Sequence, residues 1–524
     1  MEKENTIASP SNPNRRQFLR KASAAGASLL LPAMGTATRA FADLPQRGGK
    51  FVMGLGGGES TDSLDPAFAS SLVTIQIVQI FGEKLFEVNA SGSLDMRLAE
   101  DLSSDSAAIT WRFKIRQGIS FHDGRPLQPQ DVAETLRRHS DRASQSGALG
   151  ILSNIQDIRT EGSDVIVELD TGNADFPYLL TDYHLVIQPG GGREAPADGI
   201  GTGPYRLVEA MPGISYAFEK IDDYWDDSRG HFDQVEILVI NDSTARNSAL
   251  QAGQVHVTNQ VNPSIARFLG RSNGVSVKST TSRAHYTFVM QCDTAPFDNY
   301  DLRMALKLAV NREELVEKIL HGHGAVGNDT PINNAYPLFD GSLSQRTFDP
   351  ELAREHYERS GHDGSPIVLH ASDAAFPGAL DAAQLYQQTA MAAGIDIRIQ
   401  REPSDGYFSE VWNRKPFCIS RWGGRPVQDQ MYSTAYLSDA EWNDTRFQNE
   451  EFDALLYDAR AETNTERRTA LYASMADILR DEGGLICPMF NNFVVGVRDN
   501  ISGWEENGNS ELMDGLAPHK CWFS

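Results

Sequence analysis

A chain of 524 residues is long enough for two or three domains, and 40% hydrophobic residues with 24 Phe, 15 Tyr and 7 Trp exclude a disordered protein. Its formal net charge of −24 argues against nucleic acid and anionic lipid as partners, since both are negatively charged. The four cysteines lie far apart and show no paired metal-ligand spacing.

The N-terminal residues carry three features of an export signal in the order that such signals have. A paired-arginine run, Asn14 to Lys21, precedes a mildly apolar stretch, Ala22 to Met34, that is too short to span a membrane. Ala40-Phe41-Ala42 then has the small-x-small pattern of a cleavage site. The segment resembles a twin-arginine (Tat) signal peptide, so we expect cleavage of residues 1–42 near Ala42 and delivery of a folded protein to the periplasm. No later stretch reaches the roughly 18 apolar residues of a membrane span, so we expect no membrane insertion.

A glycine-rich loop follows the first predicted strand. Lys50 to Met53 reads as a strand, and Gly54 to Gly58 follows it. That order is found in dinucleotide sites, but Glu59 to Pro66 do not open a helix, so we set aside a phosphate-binding loop.

Helical and strand periodicities then alternate along the chain. Apolar residues at helical spacing predict helices over 71–86, 302–320 and 453–479, the last broken near Asn464, and a further helix runs from Asp131 to about His139. Alternation of apolar and basic residues predicts a strand over 109–116. Strands are also predicted over 202–209 and 215–220, and a fully apolar one over 235–240. The mixture indicates an α/β protein.

Two short patterns typical of enzymes do not fit their surroundings. Gly270 to Gly274 matches the Gly-x-Ser-x-Gly elbow of serine hydrolases, which needs a strand before it and a helix after it. Here a helix-like run precedes the pattern and a strand follows it, so we interpret it as a turn. His321 and His323 have no second nearby pair of Cys or His to complete a metal site. We therefore predict a binding protein rather than an enzyme, with no cofactor and no metal; an exported hydrolase is the alternative class.

The order of landmarks along the chain resembles the peptide/nickel family of solute-binding proteins, which serve ABC importers. The resemblance spans nearly all of the chain after residue 42. It rests on Ser63-Leu64-Asp65-Pro66, Leu98-Ala99-Glu100, Trp111 to Gly124, Gly201 to Leu207, Asp223-Tyr224-Trp225, Ala249 to Gly253, Pro296-Phe297-Asp298, Leu302 to Leu306 and Phe348 to Ala353.

This resemblance implies a two-lobed periplasmic-binding-protein fold with an additional domain inserted in the first lobe. Mapped onto this chain, the first lobe takes residues 43–86, 191–286 and the C-terminal segment 493–524. The inserted domain takes 87–190, and the second lobe takes 287–492. The implied partners are a small-molecule or short-peptide ligand and the permease in the inner membrane, and we expect a monomer.

The stretch Ser420 to Pro426 follows an apolar run and combines one tryptophan, two arginines and two glycines. A tryptophan face and an arginine fork suit a small ligand that carries a carboxylate, although Trp422 could instead cap a core edge. In peptide-binding members of the family, the ligand bonds to the main chain of two segments. The resemblance places those segments at Phe68, Ala69, Ser70 and Ser71, and at Arg421, Trp422, Gly423 and Gly424.

Arg425 stands where well-known peptide binders have an aspartate that pairs with the peptide's amino group. A guanidinium facing an ammonium would bury two like charges, so we expect Arg425 to meet an anionic group. Alternatively it points to solvent or pairs with a protein acid such as Asp429. The predicted ligand is a short peptide or a polar compound of similar size, and an oligosaccharide or opine-like anionic conjugate is the alternative.

Disulfides are possible in an oxidising periplasm, and four cysteines allow three full pairings. Cys292 and Cys418 both end apolar, strand-like runs, so this pair is favoured over pairings that involve Cys487 or Cys521.

Overall fold

The computed structural model describes residues 45–403, 407–440 and 442–524, and the predicted signal over 1–42 lies outside them. Two α/β lobes share one sheet of 11 strands, which confirms the two-lobed fold class. In spatial order the strands are Ile397–Arg401, Ile367–Ala371, Phe417–Trp422, Val275–Met290, Leu485–Arg498, Val257–Thr258, Lys50–Leu55, Gln234–Val239, Ser215–Lys220 and Tyr205–Met211, and Gly324–Val326 pairs with Leu485–Arg498.

The first-lobe strand Lys50–Leu55 is apolar because both of its faces are covered. Phe51 and Met53 pack into one core, and Val52 packs against a second core on the opposite face of the sheet. The strand lies parallel to Gln234–Val239 and Val257–Thr258, as expected of a buried α/β sheet.

Two long antiparallel strands, Val275–Met290 and Leu485–Arg498, carry the chain between the lobes. Their pairing runs to Thr281 opposite Asn492 and resumes at His285 opposite Phe490. Residues 282–284 therefore form a bulge at the point where the sheet passes from one lobe to the other. A bulge bends its strand and redirects the side chains that it carries.

A separate four-stranded antiparallel sheet lies in the chain between Lys50–Leu55 and Tyr205–Met211. Its strands, in spatial order, are Ala99–Ser104, Thr110–Ile115, Asp164–Leu169 and Ile155–Glu161. Along Thr110–Ile115 the apolar side chains are buried and the basic ones are exposed, which confirms the predicted amphipathic strand. The sheet has its own core, to which helix Pro129–Ser140 contributes Val132 and Leu136.

The remaining elements are of two kinds: helices, which cover the sheets, and two short strand pairs. The helices are Leu72–Phe81, Leu149–Leu152, Phe176–Leu179, Ser243–Gln251, Pro263–Leu269, Tyr300–Leu308, Arg312–Lys318, Pro350–Ser360, Ala379–Ala392, Tyr407–Glu410, Gln428–Ala435, Glu450–Ala461, Thr465–Glu482 and Ala517–Lys520. The strand pairs are Phe86–Val88 with Leu94–Met96 and Ile501–Ser502 with Trp522–Phe523.

The predicted single helix over 302–320 is wrong. The chain forms two helices, Tyr300–Leu308 and Arg312–Lys318, because the side chain of Asn311 accepts a hydrogen bond from the backbone N–H of Glu314 (3.1 Å) and starts a new helix. The predicted break near Asn464 is confirmed, since Asn464 caps helix Thr465–Glu482 in the same way.

The favoured disulfide between Cys292 and Cys418 is also wrong, because all four cysteines are free thiols. Cys418 is buried in one core of the second lobe, whereas Cys292 packs against a different core. The turn reading of Gly270 to Gly274 is confirmed, since helix Pro263–Leu269 precedes it and strand Val275–Met290 follows it.

Candidate ligand-binding cleft

A cavity of about 850 Å³ lies between the lobes at the level of the bulge. That volume is within the range of ligand sites and can hold a peptide of a few residues. Five parts of the chain line it, and the lining residues include Ala69, Ser70, Gln79, Lys84, Arg283, Gly424, Arg425, Asp429, Trp442 and Asp514.

Half of the predicted segment Phe68, Ala69, Ser70 and Ser71 borders this cavity. Ala69 and Ser70 line it, whereas the side chain of Phe68 is 48% exposed and is not among the lining residues. The hydroxyl of Ser71 accepts a hydrogen bond from the backbone N–H of Thr74 (3.1 Å) and caps helix Leu72–Phe81. The Ser71 side chain therefore stabilises the start of the helix, and Ser71 is not among the residues that line the cavity.

The second predicted segment is divided in the same way. Gly424 and Arg425 line the cavity, and Arg421 and Gly423 do not. Trp422 is 5% exposed and belongs to a core of the second lobe, where its Nε1 donates to Oδ2 of Asp444 (3.2 Å). Trp422 therefore lies beneath the cavity wall rather than on it.

The aromatic side chain that does line the cavity is Trp442, which is 47% exposed. Its ring centroid lies 6.2 Å from those of Trp412 and Trp422, so three indoles form one cluster. Nothing in the sequence around Trp442 indicates this position, because it depends on the loop that brings residue 442 against Trp422.

Gly424 brings the second-lobe loop against the bulge. A Cβ atom at residue 424 would lie 2.3 Å from the Cβ of Arg283, a distance that no side chain allows. The close approach lets Nη1 of Arg283 donate to the carbonyl oxygen of Arg425 (3.4 Å). The glycine thus places two arginines at one end of the cavity.

Neither Arg283 nor Arg425 has a carboxylate partner among the described residues. Arg283 is 2% exposed, and its Nε donates to the carbonyl oxygen of Ala335 (2.8 Å). Nη1 of Arg425 donates to the carbonyl oxygens of Gly423 and Gly424 at 3.4 and 3.3 Å. Across residues 45–403, 407–440 and 442–524, no acidic oxygen lies within 4.0 Å of either guanidinium. Burial lowers the pKa of Arg283, as it does for a cation without a counter-ion.

Asp429 is not the partner of Arg425, because it pairs with Arg460 instead. Nε of Arg460 donates to Oδ1 of Asp429 at 2.9 Å. Pairing of Arg425 with Asp429 is therefore contradicted. The other alternative was that Arg425 points to solvent; in the structure it lines the cavity.

Asp514 is the acid that faces the same cavity without an ion pair in the described chain. It ends a turn, Glu511–Asp514, in which Leu512, Met513 and Asp514 have φ values of 57°, 64° and 60°. This left-handed conformation costs roughly 1–2 kcal/mol per residue and persists only where the surrounding structure holds it. Burial raises the pKa of Asp514 to about 6, and the nearby Lys84 ammonium limits the rise.

Sequence reasoning missed Arg283, Lys84, Trp442 and Asp514. For Arg283 the sequence shows only a lone cation between two small residues, Ser282 and Ala284, outside any predicted strand. Within the described ranges, no group of three or more His, Cys, Asp or Glu is arranged to hold a metal ion. No described helix has both the length and the apolar character that crossing a membrane requires.

The chain is similar in sequence to a characterised protein and in fold to two solved structures. The chain is 24% identical over 496 residues to the glutathione-binding protein GsiB of Escherichia coli K12, covering 90% of this chain and 95% of the relative. Its fold is similar to AgaA of A. tumefaciens R10 in complex with agropinic acid (TM-score 0.74, 20% identity, 91% of this chain and 99% of that one). It is also similar to the oligopeptide-binding protein AppA of Bacillus subtilis in complex with a nonapeptide (TM-score 0.72, 19% identity, 92% and 100%).

The family description "Bacterial extracellular solute-binding proteins, family 5 Middle" matches residues 94–444, which is more than half of the chain. The match agrees with the two lobes, the cavity between them and the resemblance found in the sequence. The chain therefore belongs to family 5 of the bacterial extracellular solute-binding proteins, and it is the substrate-binding component of an ABC importer.

Proposed function

We propose that the protein is a monomeric periplasmic receptor, exported by the Tat route, that closes its lobes over an anionic ligand of short-peptide size. The observation that carries this proposal is the pair of guanidiniums, Arg283 and Arg425, that face the cavity without a carboxylate partner. A ligand carboxylate would supply the missing counter-charge.

Arg283 is a buried cation. A buried cation without an anion is strongly unfavourable, and a charge-assisted hydrogen bond contributes roughly 1.5–3 kcal/mol. A ligand ammonium placed at Arg425 would instead meet a second positive charge. An ordinary peptide bound with its amino end at Arg425 is therefore disfavoured, and a carboxylate at this point is favoured.

The similar proteins are compatible with this ligand class. The E. coli relative is named for binding glutathione, and the AppA and AgaA structures hold a nonapeptide and agropinic acid. An opine-like acid is the second candidate, because it too would present an anionic group to Arg283 and Arg425. A neutral oligosaccharide is less favoured, since it would leave both guanidiniums without a counter-charge.

The lobe assignment supports closure around the bulge. We assign residues 43–86, 191–286 and 493–524 to the first lobe, 87–190 to an inserted domain and 287–492 to the second lobe. The separate sheet and core formed by residues 99–115 and 155–169 support the insertion. The interrupted pairing at residues 282–284 supports a hinge at this point.

Native mass spectrometry of protein purified from the periplasm tests the ligand class, and we expect a retained anionic compound of peptide size. Calorimetry then compares wild type with Arg425→Ala, using the retained compound and an analogue whose acid group is amidated. We expect Arg425→Ala to weaken the acid about ten- to a hundredfold and to affect the amide much less. Arg421→Ala is the matched control, because Arg421 belongs to the same segment and does not line the cavity.

Equal effects of Arg425→Ala on acid and amide would contradict a charge-reading role. Turnover of candidate esters or peptides by the purified protein would instead favour the hydrolase alternative.

The export route is tested separately. Replacing Arg15 and Arg16 with a lysine pair should retain the precursor in the cytoplasm. Normal appearance of the mature protein in the periplasm would rule out the Tat proposal.

A further inference from the structure

The C-terminal turn Glu511–Asp514 is fixed in place against the cavity by side chains of helix Leu72–Phe81. Nε2 of Gln79 donates to the carbonyl oxygen of Asp514 (2.8 Å), and Nε2 of Gln76 donates to that of Gly515 (2.7 Å). Leu512 and Met513 are buried in the first-lobe core. The turn is thus held in its left-handed conformation, with Asp514 in the cavity wall.

The same C-terminal segment touches the bulged strand. A Cβ atom at residue 508 would lie 2.6 Å from the carbonyl oxygen of Thr281, which immediately precedes the bulge. Asp514 and Arg283 both line the cavity, and the charge of each shifts the pKa of the other. Even so, they do not form an ion pair within 4.0 Å in the described chain.

The opposite charges of Arg283 and Asp514 both line the cavity but do not form an ion pair, so there is space between them for a ligand group. In the part of the chain that the structure describes, Asp514 has no cation within 4.0 Å, and the ammonium of Lys84 donates to Oε1 of Gln79 (2.6 Å). A ligand group that carries both an ammonium and a carboxylate could fill the gap and satisfy both side chains.

We propose that Arg283 and Asp514 form a subsite for the zwitterionic head of an amino acid, with its carboxylate on Arg283 and its ammonium on Asp514. This inference rests on the proposed function and names the ligand class. The cavity of about 850 Å³ is large enough for a peptide-sized ligand, so the ligand is an amino acid conjugated through its side chain, which keeps both charges on one carbon. An ordinary peptide carries its free amino and carboxyl groups at opposite ends. Arg425 is then left for a second acid group of the same ligand.

Two tripeptides of equal composition, mass and charge test the subsite. γ-Glutamyl-cysteinyl-glycine keeps a free amino-acid head, whereas α-glutamyl-cysteinyl-glycine has its α-carboxyl in the peptide bond. Calorimetry with the ligand-free full-length mature protein should give at least about tenfold tighter binding of the γ-linked isomer, the contribution of one charge-assisted pair.

Asp514→Asn should remove that preference. Asparagine has the same shape and tolerates left-handed backbone, so the turn should persist and the melting temperature should report its integrity. We expect this variant to lose about tenfold affinity or more for the γ-linked isomer and to bind the α-linked isomer within about twofold of wild type. Glu511→Gln is the matched control, because it amidates an acid on the same turn that does not line the cavity and should keep the preference.

Failure of this inference can be distinguished from failure of the proposed function. Equal binding of the two isomers, an equal loss of both in Asp514→Asn, or a retained anionic ligand without an amino-acid head would overturn the subsite alone. Binding of neither isomer together with a neutral or cationic retained ligand would overturn the proposed function, and the subsite with it.

Discussion

The protein contains two sets of arginines that differ in their partners. Arg97 donates to Oε1 of Glu83 and Oδ2 of Asp226, both at 2.7 Å, and Arg229 binds Glu87 through two hydrogen bonds of 2.8 and 2.6 Å. We call these residues the paired network. In contrast, the guanidiniums of Arg283 and Arg425 donate to carbonyl oxygens, lie over the rings of Tyr336 and Trp422 respectively, and face the cavity without an acidic oxygen within 4.0 Å among the described residues.

The acids of the two regions differ in the same way. Burial alone would raise the pKa of Glu87, but attraction by Arg229 and Arg97 lowers it well below its ordinary value. Burial raises the pKa of Asp514 to about 6, because no cation touches it. A buried charge with all its partners is part of the fold, whereas a buried charge without one indicates where a ligand is needed.

The largest expected effect is the loss of stability when the paired network is broken. Arg229→Met leaves the Glu87 carboxylate buried without its main partner, so the free energy of unfolding should fall by about 3–5 kcal/mol. Urea unfolding measures this, and the double variant Arg229→Met with Glu87→Leu should recover most of the loss. If the free energy of unfolding of Arg229→Met fell by less than about 1 kcal/mol, the paired network would not differ from the cavity arginines in its contribution to stability.

Arg283→Met should reduce ligand affinity strongly and change the free energy of unfolding little, the opposite of what we expect for Arg229→Met. Because Arg283 has no carboxylate partner to leave behind, the free energy of unfolding should change by about 1 kcal/mol or less. Affinity for the retained ligand should fall by about ten- to a hundredfold, equivalent to roughly 1.5–3 kcal/mol. Unchanged affinity accompanied by a large loss of stability would assign Arg283 to the fold and not to the site.

The smallest expected effect is a pH dependence that Asp514 contributes to the ligand-free protein. Its pKa is higher in the folded state, so between about pH 4 and 6 the folded protein keeps a proton that the unfolded chain releases. This contribution to stability is present below about pH 4 and is lost as the pH rises through about 6.

Asp514→Asn has no such loss. Relative to the variant, wild type should lose about 2 kcal/mol of unfolding free energy between pH 4 and pH 6, with Lys84, Glu87 and Arg283 as the charged groups that act on Asp514. Urea unfolding of both proteins at pH 4, 5, 6 and 7 checks this. Parallel curves for the two proteins would show that Asp514 has an ordinary pKa.

Local elements were predictable where the signal lies within a few residues. The alternation over Thr110–Ile115 and the cap at Asn464 are examples, since each depends on contacts along one strand or one turn. The cap at Asn311 was missed because an apolar periodicity continues across it. A periodic pattern therefore predicted the helix type better than it predicted where a helix ends.

The site was predictable only in part. The segments around Ala69 and Arg425 came from the family resemblance, and their residues Ala69, Ser70, Gly424 and Arg425 line the cavity. Arg283 depends on a register shift between two strands that are distant in sequence, and Asp514 depends on a left-handed turn of non-glycine residues. Neither feature has a local signature, because each is imposed by tertiary contacts.

The cluster of Trp412, Trp422 and Trp442 also couples the cavity to the intrinsic tryptophan fluorescence of the protein. Two of the indoles share the carboxylate of Asp444 in the interior, with Nε1 to Oδ2 distances of 2.8 and 3.2 Å, and the third faces the cavity. A ligand that covers Trp442 should change the surroundings of one of the seven tryptophans of the protein. Cleft occupancy can therefore be followed by intrinsic fluorescence, without attaching a dye.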